Sequence, residues 1–185
     1  HHVSWTEVHR DAKHLVRALM GKGPWEGIVA LTRGGLVPAS ILAREMDIRI
    51  VDTLCISTYD EQVKGTINVL KVPERAVAVE GKGWLLVDDL VDTGTTARKA
   101  REILPKCHFA TVYAKPQGLP TVDTFVSQVG QDVWIYFPWD TEPQYIAPLA
   151  GRLVLFLSEK LAHAVLPVHT RRLAVTAWYG GAEGA

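Results

Sequence analysis

Three acidic residues and a run of threonines lie close together in the middle of the chain. Asp88 and Asp89 directly follow the apolar stretch 84–87, and Asp92 comes shortly after them. Carboxylate oxygens suit a hard divalent cation such as Mg²⁺, or the hydroxyls of a sugar. Adjacent acids after a buried strand would place this chemistry at the carboxyl end of the strand, where ligands bind in open α/β sheets.

The residues that follow Asp92 have the composition of an anion-binding turn. Gly94 permits close backbone approach, and a helix beginning there would offer unpaired amides to an anion. Thr93, Thr95 and Thr96 add hydroxyl donors. Together with the acids, this turn suits a phosphorylated sugar bound with a metal. The plainer alternative is a solvated turn in which Asp92 is an ordinary helix N-cap.

Strands and helices are predicted to alternate around this segment. Helical periodicity indicates a helix that begins at the capping box Ser4–Glu7, a second over 36–46, and a third that ends at Pro105. Apolar runs predict strands at 27–31, 84–87, 109–114, 124–129 and 133–137, with a β-rich stretch at 48–57. This alternation indicates an α/β fold with a central, mostly parallel sheet flanked by helices.

The balanced composition excludes several classes of protein. The 185 residues carry 20 Lys and Arg against 20 Asp and Glu, which argues against a nucleic-acid binder or a polybasic membrane-surface protein. No apolar run approaches the roughly 18 residues of an integral membrane segment. Cys55 and Cys107 form neither a metal-ligand spacing nor a disulfide framework. The cytoplasm is the expected compartment, with peripheral membrane association left open.

The stretch 84–96 resembles the motif with which type I phosphoribosyltransferases bind phosphoribosyl diphosphate (PRPP). Further segments, in the same order, resemble the bacterial xanthine-guanine phosphoribosyltransferases: 31–38, 69–71, 113–116 and 134–140. The resemblance covers residues 3–152. It implies the type I phosphoribosyltransferase fold with a small hood and a mobile loop. It also implies Mg²⁺-dependent transfer of ribose 5-phosphate from PRPP to N9 of a 6-oxopurine (guanine, xanthine or hypoxanthine). The products would be GMP, XMP or IMP and pyrophosphate, in purine salvage.

The resemblance assigns the phosphates and the ribose of PRPP to particular residues. Arg33 and Gly34 match the pyrophosphate loop, where a guanidinium can bind two phosphate oxygens. Asp88 and Asp89 would face the ribose hydroxyls, with Asp89 as the Mg²⁺ contact. Asp92 matches the proposed general base near purine N7. The 5′-phosphate would bind along the turn of Asp92, Thr93, Gly94, Thr95 and Thr96. The family often has a non-proline cis peptide at the position of Thr32–Arg33.

Three further residues match the purine site of the family. Lys115 resembles the residue that binds the 6-oxo group, because an ammonium donor favours an oxo acceptor over the amino group of adenine. Trp134 would stack on the base, and the Ile135 carbonyl would accept from a 2-amino group. Without the resemblance, an aromatic residue in the run 133–137 is better explained as core.

Two regions depart from the family pattern. The polar segment 60–68 is expected to be a mobile hood over PRPP, but Gly65 stands where the family has a PRPP-binding arginine, so Lys64 is the candidate replacement. Residues 153–185 form a C-terminal extension of unknown role, with helix-like apolar positions over 153–168. Residues 1–2 look like a tag remnant. The resemblance also implies a homodimer or homotetramer. The alternative function is a PRPP-sensing regulator of the same fold that binds nucleic acid.

Overall fold

The computed structural model describes residues 1–58 and 67–140 of the 185-residue chain. The predicted hood with Lys64 falls largely outside these residues, as do the helix-like stretch 153–168 and the rest of the C-terminal extension. The described elements are α1 (Trp5–Leu19), β1 (Gly27–Thr32), α2 (Leu36–Glu45), β2 (Val51–Thr58), β3 (Ile67–Lys71), α3 (Glu74–Val77), β4 (Trp84–Val91), α4 (Thr95–Ile103), β5 (His108–Ala114), a 3₁₀ turn (Leu119–Thr121) and β6 (Thr124–Gln128).

The six strands form one sheet in the order β3-β2-β1-β4-β5-β6. All neighbouring pairs are parallel except β2 and β3. The chain moves outward from β1 to β2 and β3 on one side, and from β4 to β5 and β6 on the other. The strand order therefore reverses between β1 and β4, which is where open α/β sheets bind their ligands. The predicted α/β class is confirmed.

Both faces of the sheet are buried, and β1 shows how. Ile28 and Ala30 belong to a core cluster that contains the apolar stripe of α1, whereas Val29 and Leu31 belong to a second cluster that contains residues of α4. Successive side chains of a strand point to opposite faces, so a continuous apolar run fits a strand that is covered on both sides. The apolar runs at 27–31 and 84–87 are explained in this way.

The first helix begins where the sequence predicts. The Ser4 hydroxyl accepts from the Glu7 amide at 3.3 Å, and the Glu7 carboxylate accepts from the Ser4 amide at 2.8 Å. These two bonds satisfy backbone donors that the first turn would otherwise leave unpaired. The cap fixes the start of α1, whose buried side chains then cover the sheet.

The predicted strand over 133–137 does not form. Within this segment only Tyr136 makes a β-bridge, to His2, and its main chain exchanges hydrogen bonds with His1 and Val3. The segment does have the alternating burial of an extended chain, since Ile135 and Phe137 are buried while its other side chains are not. Alternating burial indicates that one face of the segment is buried, but it does not indicate whether the backbone pairs with a strand of the sheet.

Two further differences concern strands. The strand β4 continues four residues beyond the apolar run and ends at Val91, so Asp88 and Asp89 lie within its last half rather than after it. The edge strand β3 was not predicted, because four of its five side chains are exposed and no apolar alternation marks it. Within the described ranges, no helix is long and apolar enough to cross a membrane.

Candidate active site

A cavity lies at the crevice between β1 and β4. Its volume is about 700 Å³. The turn after β1 supplies one wall, the last half of β4 supplies the floor, and the turn leading into α4 supplies the opposite wall. The sequence-predicted residues that line it are Arg33, Gly34, Asp88, Asp89, Asp92, Thr93, Gly94, Thr95 and Thr96. The peptide bond between Thr32 and Arg33 is cis. The structure thus brings together all the predicted phosphate and ribose residues that it describes.

The turn after β1 lies directly against the acidic strand. A Cβ atom at position 34 would lie 2.5 Å from the carboxyl carbon of Asp89, closer than real Cβ atoms come to any neighbour. A Cβ on the next residue, Gly35, would likewise meet the Leu31 carbonyl oxygen at 2.7 Å. Both positions therefore require glycine for close approach rather than for turn geometry alone. The sequence singled out Gly34 as a turn residue but did not reveal this contact.

The adjacent carboxylates of β4 are poorly compensated. Oδ1 of Asp88 accepts from the Asp89 amide at 3.0 Å, and Oδ1 of Asp89 accepts from the Leu90 amide at 2.7 Å. Burial and the neighbouring Asp89 charge hold the pKa of Asp88 well above its usual value. Burial, with a contribution from the charge of Asp140, raises the pKa of Asp89 to about 6. In the part of the chain described, no lysine or arginine forms an ion pair with either carboxylate.

A bound divalent cation would supply the missing positive charge at this pair. The described residues contain no group of three or more His, Cys, Asp or Glu arranged around a metal. The two carboxylates of Asp88 and Asp89 fit Mg²⁺, which keeps several waters, takes one or two carboxylates and shares the oxygens of a phosphorylated substrate. The uncompensated acids and the sparse ligand set are therefore consistent with a metal that arrives with its substrate.

The turn into α4 leaves the N-terminus of the helix without a side-chain cap. Gly94 is the N-cap of the helix and adopts φ +79°, a left-handed conformation that glycine tolerates best. Its position as N-cap excludes the alternative in which Asp92 caps the helix. No side chain caps the helix and no acidic residue lies in its first turn, so its amide dipoles stay available. The hydroxyls of Thr93 and Thr95 lie 3.0 Å apart beside the N-terminus of α4.

Arg98 is a residue of this turn that sequence reasoning missed. Its guanidinium reaches back from α4 to the Thr93 carbonyl at 3.2 Å and to the Thr95 hydroxyl at 3.3 Å. A cation so near a helix N-terminus opposes the helix dipole unless an anion is bound beside it. Its spacing from the turn, one helical turn downstream of Gly94, is the signal that could have revealed it.

Asp92 contacts two side chains, Lys115 after β5 and Gln131 after β6. Its Oδ2 lies 3.2 Å from Nζ of Lys115, and its Oδ1 accepts from Nε2 of Gln131 at 2.8 Å. Lys115 is only 4% exposed, whereas the Asp92 side chain is 48% exposed. A buried ammonium needs a counter-charge, and Asp92 provides it. The sequence identified Asp92 and Lys115, but nothing in the sequence pointed to Gln131.

Of the predicted purine residues, only Asp92 is among the residues that line the cavity; Lys115, Trp134 and Ile135 are not. Trp134 is 67% exposed, and its ring is tilted against that of Tyr136. Ile135 is 5% exposed and its side chain packs in the core. The role predicted for Ile135 belongs to its main-chain carbonyl and not to this side chain. Among the described residues, Trp139 and Asp140 do line the cavity, and neither was assigned a role from the sequence.

A mostly parallel sheet with an acidic strand end beside an uncapped helix N-terminus is the arrangement of a type I phosphoribosyltransferase. The family model for the phosphoribosyl transferase domain matches residues 4–146. A xanthine-guanine phosphoribosyltransferase of Desulfotalea psychrophila is 56% identical over 151 residues, which are 81% of this chain and 92% of that protein. The chain belongs to the xanthine-guanine phosphoribosyltransferase family, enzymes that transfer a phosphoribosyl group from PRPP to a purine base.

Solved structures show the same fold. A purine phosphoribosyltransferase from Pyrococcus horikoshii Ot3 superposes with a TM-score of 0.68 at 24% identity, over 80% of this chain and 98% of that one. A xanthine-guanine-hypoxanthine phosphoribosyltransferase from Helicobacter pylori superposes with a TM-score of 0.61 at 25% identity, over 75% of this chain and 92% of that one.

A second family model, that of the 2OG-Fe(II) oxygenase superfamily, matches residues 115–180. Its first part overlaps the phosphoribosyltransferase sheet, because it includes Lys115 and β6. Its remainder lies beyond the described residues and covers most of the C-terminal extension. The match spans less than half of the chain and does not show membership of that family.

Proposed function

We propose that the cavity binds PRPP across the crevice and a 6-oxopurine beside Asp92 and Lys115. The reaction forms the bond between purine N9 and C1′ of the ribose and breaks the bond between C1′ and the pyrophosphate oxygen. The purine proton passes to Asp92, while its electron pair stays on the ring. The observation that carries this proposal is the ion pair of buried Lys115 with Asp92, a carboxylate that lines the same crevice as Arg33, Asp89 and the turn 93–96.

The phosphates of PRPP are assigned to opposite walls of the cavity. The turn 93–96 and the N-terminus of α4 bind the 5′-phosphate through backbone amides and threonine hydroxyls. Arg33 and the backbone of Gly34 bind the pyrophosphate from the other wall. Between them, Asp88 and Asp89 accept hydrogen bonds from the ribose hydroxyls. Lys64 stays a candidate for a further phosphate cation from the hood.

Asp89 is the residue that would contact Mg²⁺. When bound, the metal neutralises charge on the leaving pyrophosphate by electrostatics rather than by redox chemistry. Asp89 lies between the pyrophosphate turn and the second carboxylate, so it can hold the pyrophosphate end of PRPP in register through that contact. Asp88 is assigned to a ribose hydroxyl rather than to a second metal bond.

Replacing Asp89 with asparagine is expected to stabilise the protein while impairing PRPP binding. The raised pKa means that ionised Asp89 destabilises the folded state near neutral pH. At about pH 7.5, without metal or PRPP, the variant should unfold about 2–4 °C higher in a thermal melt, the shift for about 1 kcal/mol after discounting for partial exposure.

The size of this effect depends on pH. Below about pH 6 the Asp89 carboxyl of the wild type is protonated in the folded state, so the destabilising contribution of its charge disappears as the pH falls toward 4. The difference in stability between the variant and the wild type should then vanish. Asp132→Asn is the control, because it makes the same change at an exposed side chain outside the acidic pair. An Asp89→Asn variant that is less stable than the wild type near pH 7.5 would contradict the electrostatic account.

The purine preference follows from the environment of Lys115. When Asp92 takes up the purine proton it becomes neutral, and the buried ammonium of Lys115 loses its counter-charge. A 6-oxo group offers an acceptor to that ammonium, whereas the 6-amino group of adenine offers a donor. An uncompensated buried charge costs about 3–5 kcal/mol, so the site favours a 6-oxopurine. The exposed face of Trp134 offers a stacking surface, and the Ile135 carbonyl an acceptor for a 2-amino group.

The experiment for this assignment is Lys115→Met assayed with guanine and with adenine. Loss of a charged hydrogen bond should lower kcat/KM for guanine by about 10-fold to 100-fold, and the preference for guanine over adenine should narrow. Lys106→Met, a change of an exposed lysine paired with Glu80, serves as the matched control. If Lys115→Met kept the wild-type ratio of guanine to adenine, Lys115 would not be the residue that selects the base.

The regulatory alternative, a PRPP sensor that binds nucleic acid, has no support in the structure. The family relatives are enzymes, and the acidic strand end, the phosphate turn and the Asp92–Lys115 pair all have a use in phosphoribosyl transfer.

A further inference from the structure

Gln131 connects the candidate base to a neighbouring loop. Its Nε2 donates to Oδ1 of Asp92 at 2.8 Å, and its Oε1 accepts from the main-chain amide of Gln117 at 3.0 Å. Gln131 follows β6, and Gln117 follows β5. The side chain therefore bridges the loops after two adjacent strands and ends on the carboxylate at the cavity mouth.

The orientation of this amide is fixed by chemistry. A main-chain N–H can only donate, so the atom that faces Gln117 must be the carbonyl oxygen of the Gln131 side chain. The amino group then faces Asp92, where an ionised carboxylate can only accept. Both ends of Gln131 are satisfied in one orientation, and the flipped orientation would place donor against donor and acceptor against acceptor.

Asp92 needs such a partner because its own surroundings do little to hold it. It lies between β4 and α4, and its side chain is 48% exposed. Lys115 holds Oδ2 from one side and Gln131 holds Oδ1 from the other, so the plane of the carboxylate is set by two donors. Each oxygen keeps a second lone-pair position. One of these can accept the purine proton while Gln131 stays bonded.

We propose that Gln131 is a positioning residue that holds Asp92 in the plane required for proton transfer from the purine. This inference rests on the proposed function of Asp92 as the base. In the proposed reaction the attraction of Lys115 to Asp92 is lost when Asp92 takes up the purine proton, and Gln131 is then the donor that remains on Asp92. Its contribution is therefore largest in the reacting complex and appears in kcat rather than in the KM for PRPP.

Two variants separate a positioning role from a structural one. Gln131→Met keeps the length of the side chain but removes both polar groups. Gln131→Glu keeps the shape and the acceptor for the Gln117 amide, but it places a second negative charge against Asp92. A role in bridging the two loops would make Glu the milder change, whereas a role as donor to Asp92 makes Glu the more severe one. Gln128→Met, at an exposed position on β6, is the matched control.

Steady-state kinetics with guanine and PRPP give the readout, with thermal unfolding to confirm that each variant is folded. We expect kcat to fall about 10-fold in Gln131→Met and about 10²-fold in Gln131→Glu. The KM for PRPP should stay within about twofold in both. The control should match the wild type.

The other outcomes each overturn the inference. If Gln131→Glu were as active as the wild type, or more active than Gln131→Met, the side chain would act only as a bridge between loops. If both variants kept wild-type kcat while Asp92→Asn was inactive, Gln131 would have no role and the proposed function would stand. If Asp92→Asn itself kept wild-type kcat, the base assignment would fail, and the positioning role with it.

Discussion

Replacing Asp92 with asparagine is expected to lower kcat by about 10²-fold or more, the usual contribution of a general base. Asparagine keeps the size of the side chain, but it cannot take up the purine proton. It also offers one acceptor oxygen where aspartate offers two, so in the observed geometry it can accept from only one of Lys115 and Gln131. The KM for PRPP should change much less, because in the proposed binding mode the turn 93–96 and the amides of α4 hold the 5′-phosphate. Initial rates at saturating guanine and varied PRPP measure both quantities.

The matched control for Asp92 is Asp140→Asn, at a cavity-lining carboxylate that accepts from the main chain of Phe137. That change removes a negative charge from the same cavity without touching the Lys115 pair, so its effect on kcat should be much smaller. A kcat for Asp92→Asn within about twofold of the wild type would remove Asp92 from the chemistry.

Replacing Gly34 with alanine is expected to reduce kcat/KM for PRPP by about 10²-fold. The added methyl group cannot occupy its ideal position, because the carboxyl carbon of Asp89 already lies 2.5 Å from it. Either the pyrophosphate turn or the carboxylate must move, and a shift of about 1 Å in a binding group can cost 10²-fold in rate. The same overpacking should lower the free energy of unfolding by about 1–3 kcal/mol.

A double-mutant cycle shows whether the clash with Asp89 is the cause. Unfolding is measured for Gly34→Ala, Asp89→Ala and the double variant. Removing the carboxylate frees space for the new methyl group, so Gly34→Ala should cost little stability in the Asp89→Ala background. If the two substitutions lowered the free energy of unfolding additively, the effect of Gly34→Ala would not come from a clash with Asp89.

Much of the fold could be predicted because its central strands are buried on both faces. The runs around Ile28 and Leu86 are apolar without interruption, and α1 has a capping box and apolar side chains at helical spacing. The hydrophobic pattern gave wrong predictions where burial of a segment and its pairing in the sheet do not coincide. The segment 133–137 has one buried face without joining the sheet, and β3 joins the sheet with almost no buried face.

The local parts of the site could be predicted, and the contacts between distant parts could not. The acids and threonines of 88–96 are consecutive, so their chemistry is visible in the sequence. The approach of Gly34 to Asp89 and the bond from Gln131 to Asp92 join residues that are far apart in the chain. Such contacts depend on the strand order and on which turns meet at the carboxyl edge of the sheet.

The zero net charge of the chain conceals a strongly patterned site. Asp88 and Asp89 concentrate negative charge on one strand, while Arg33, Arg98 and Lys115 lie at or near the same crevice. The substrate supplies phosphates for the cations, and a metal would supply charge for the acids. Overall charge balance therefore argues against a broad polyanion-binding surface and is fully compatible with a phosphorylated substrate.

The proposed reaction is tested most directly by the rate of nucleotide and pyrophosphate formation from PRPP and Mg²⁺ with each of guanine, xanthine, hypoxanthine and adenine. We expect turnover with at least one 6-oxopurine, loss of turnover when Mg²⁺ is removed with a chelator, and a kcat/KM for adenine lower by at least about 10²-fold. Adenine turned over as well as the best 6-oxopurine would contradict the roles given to Lys115 and Asp92.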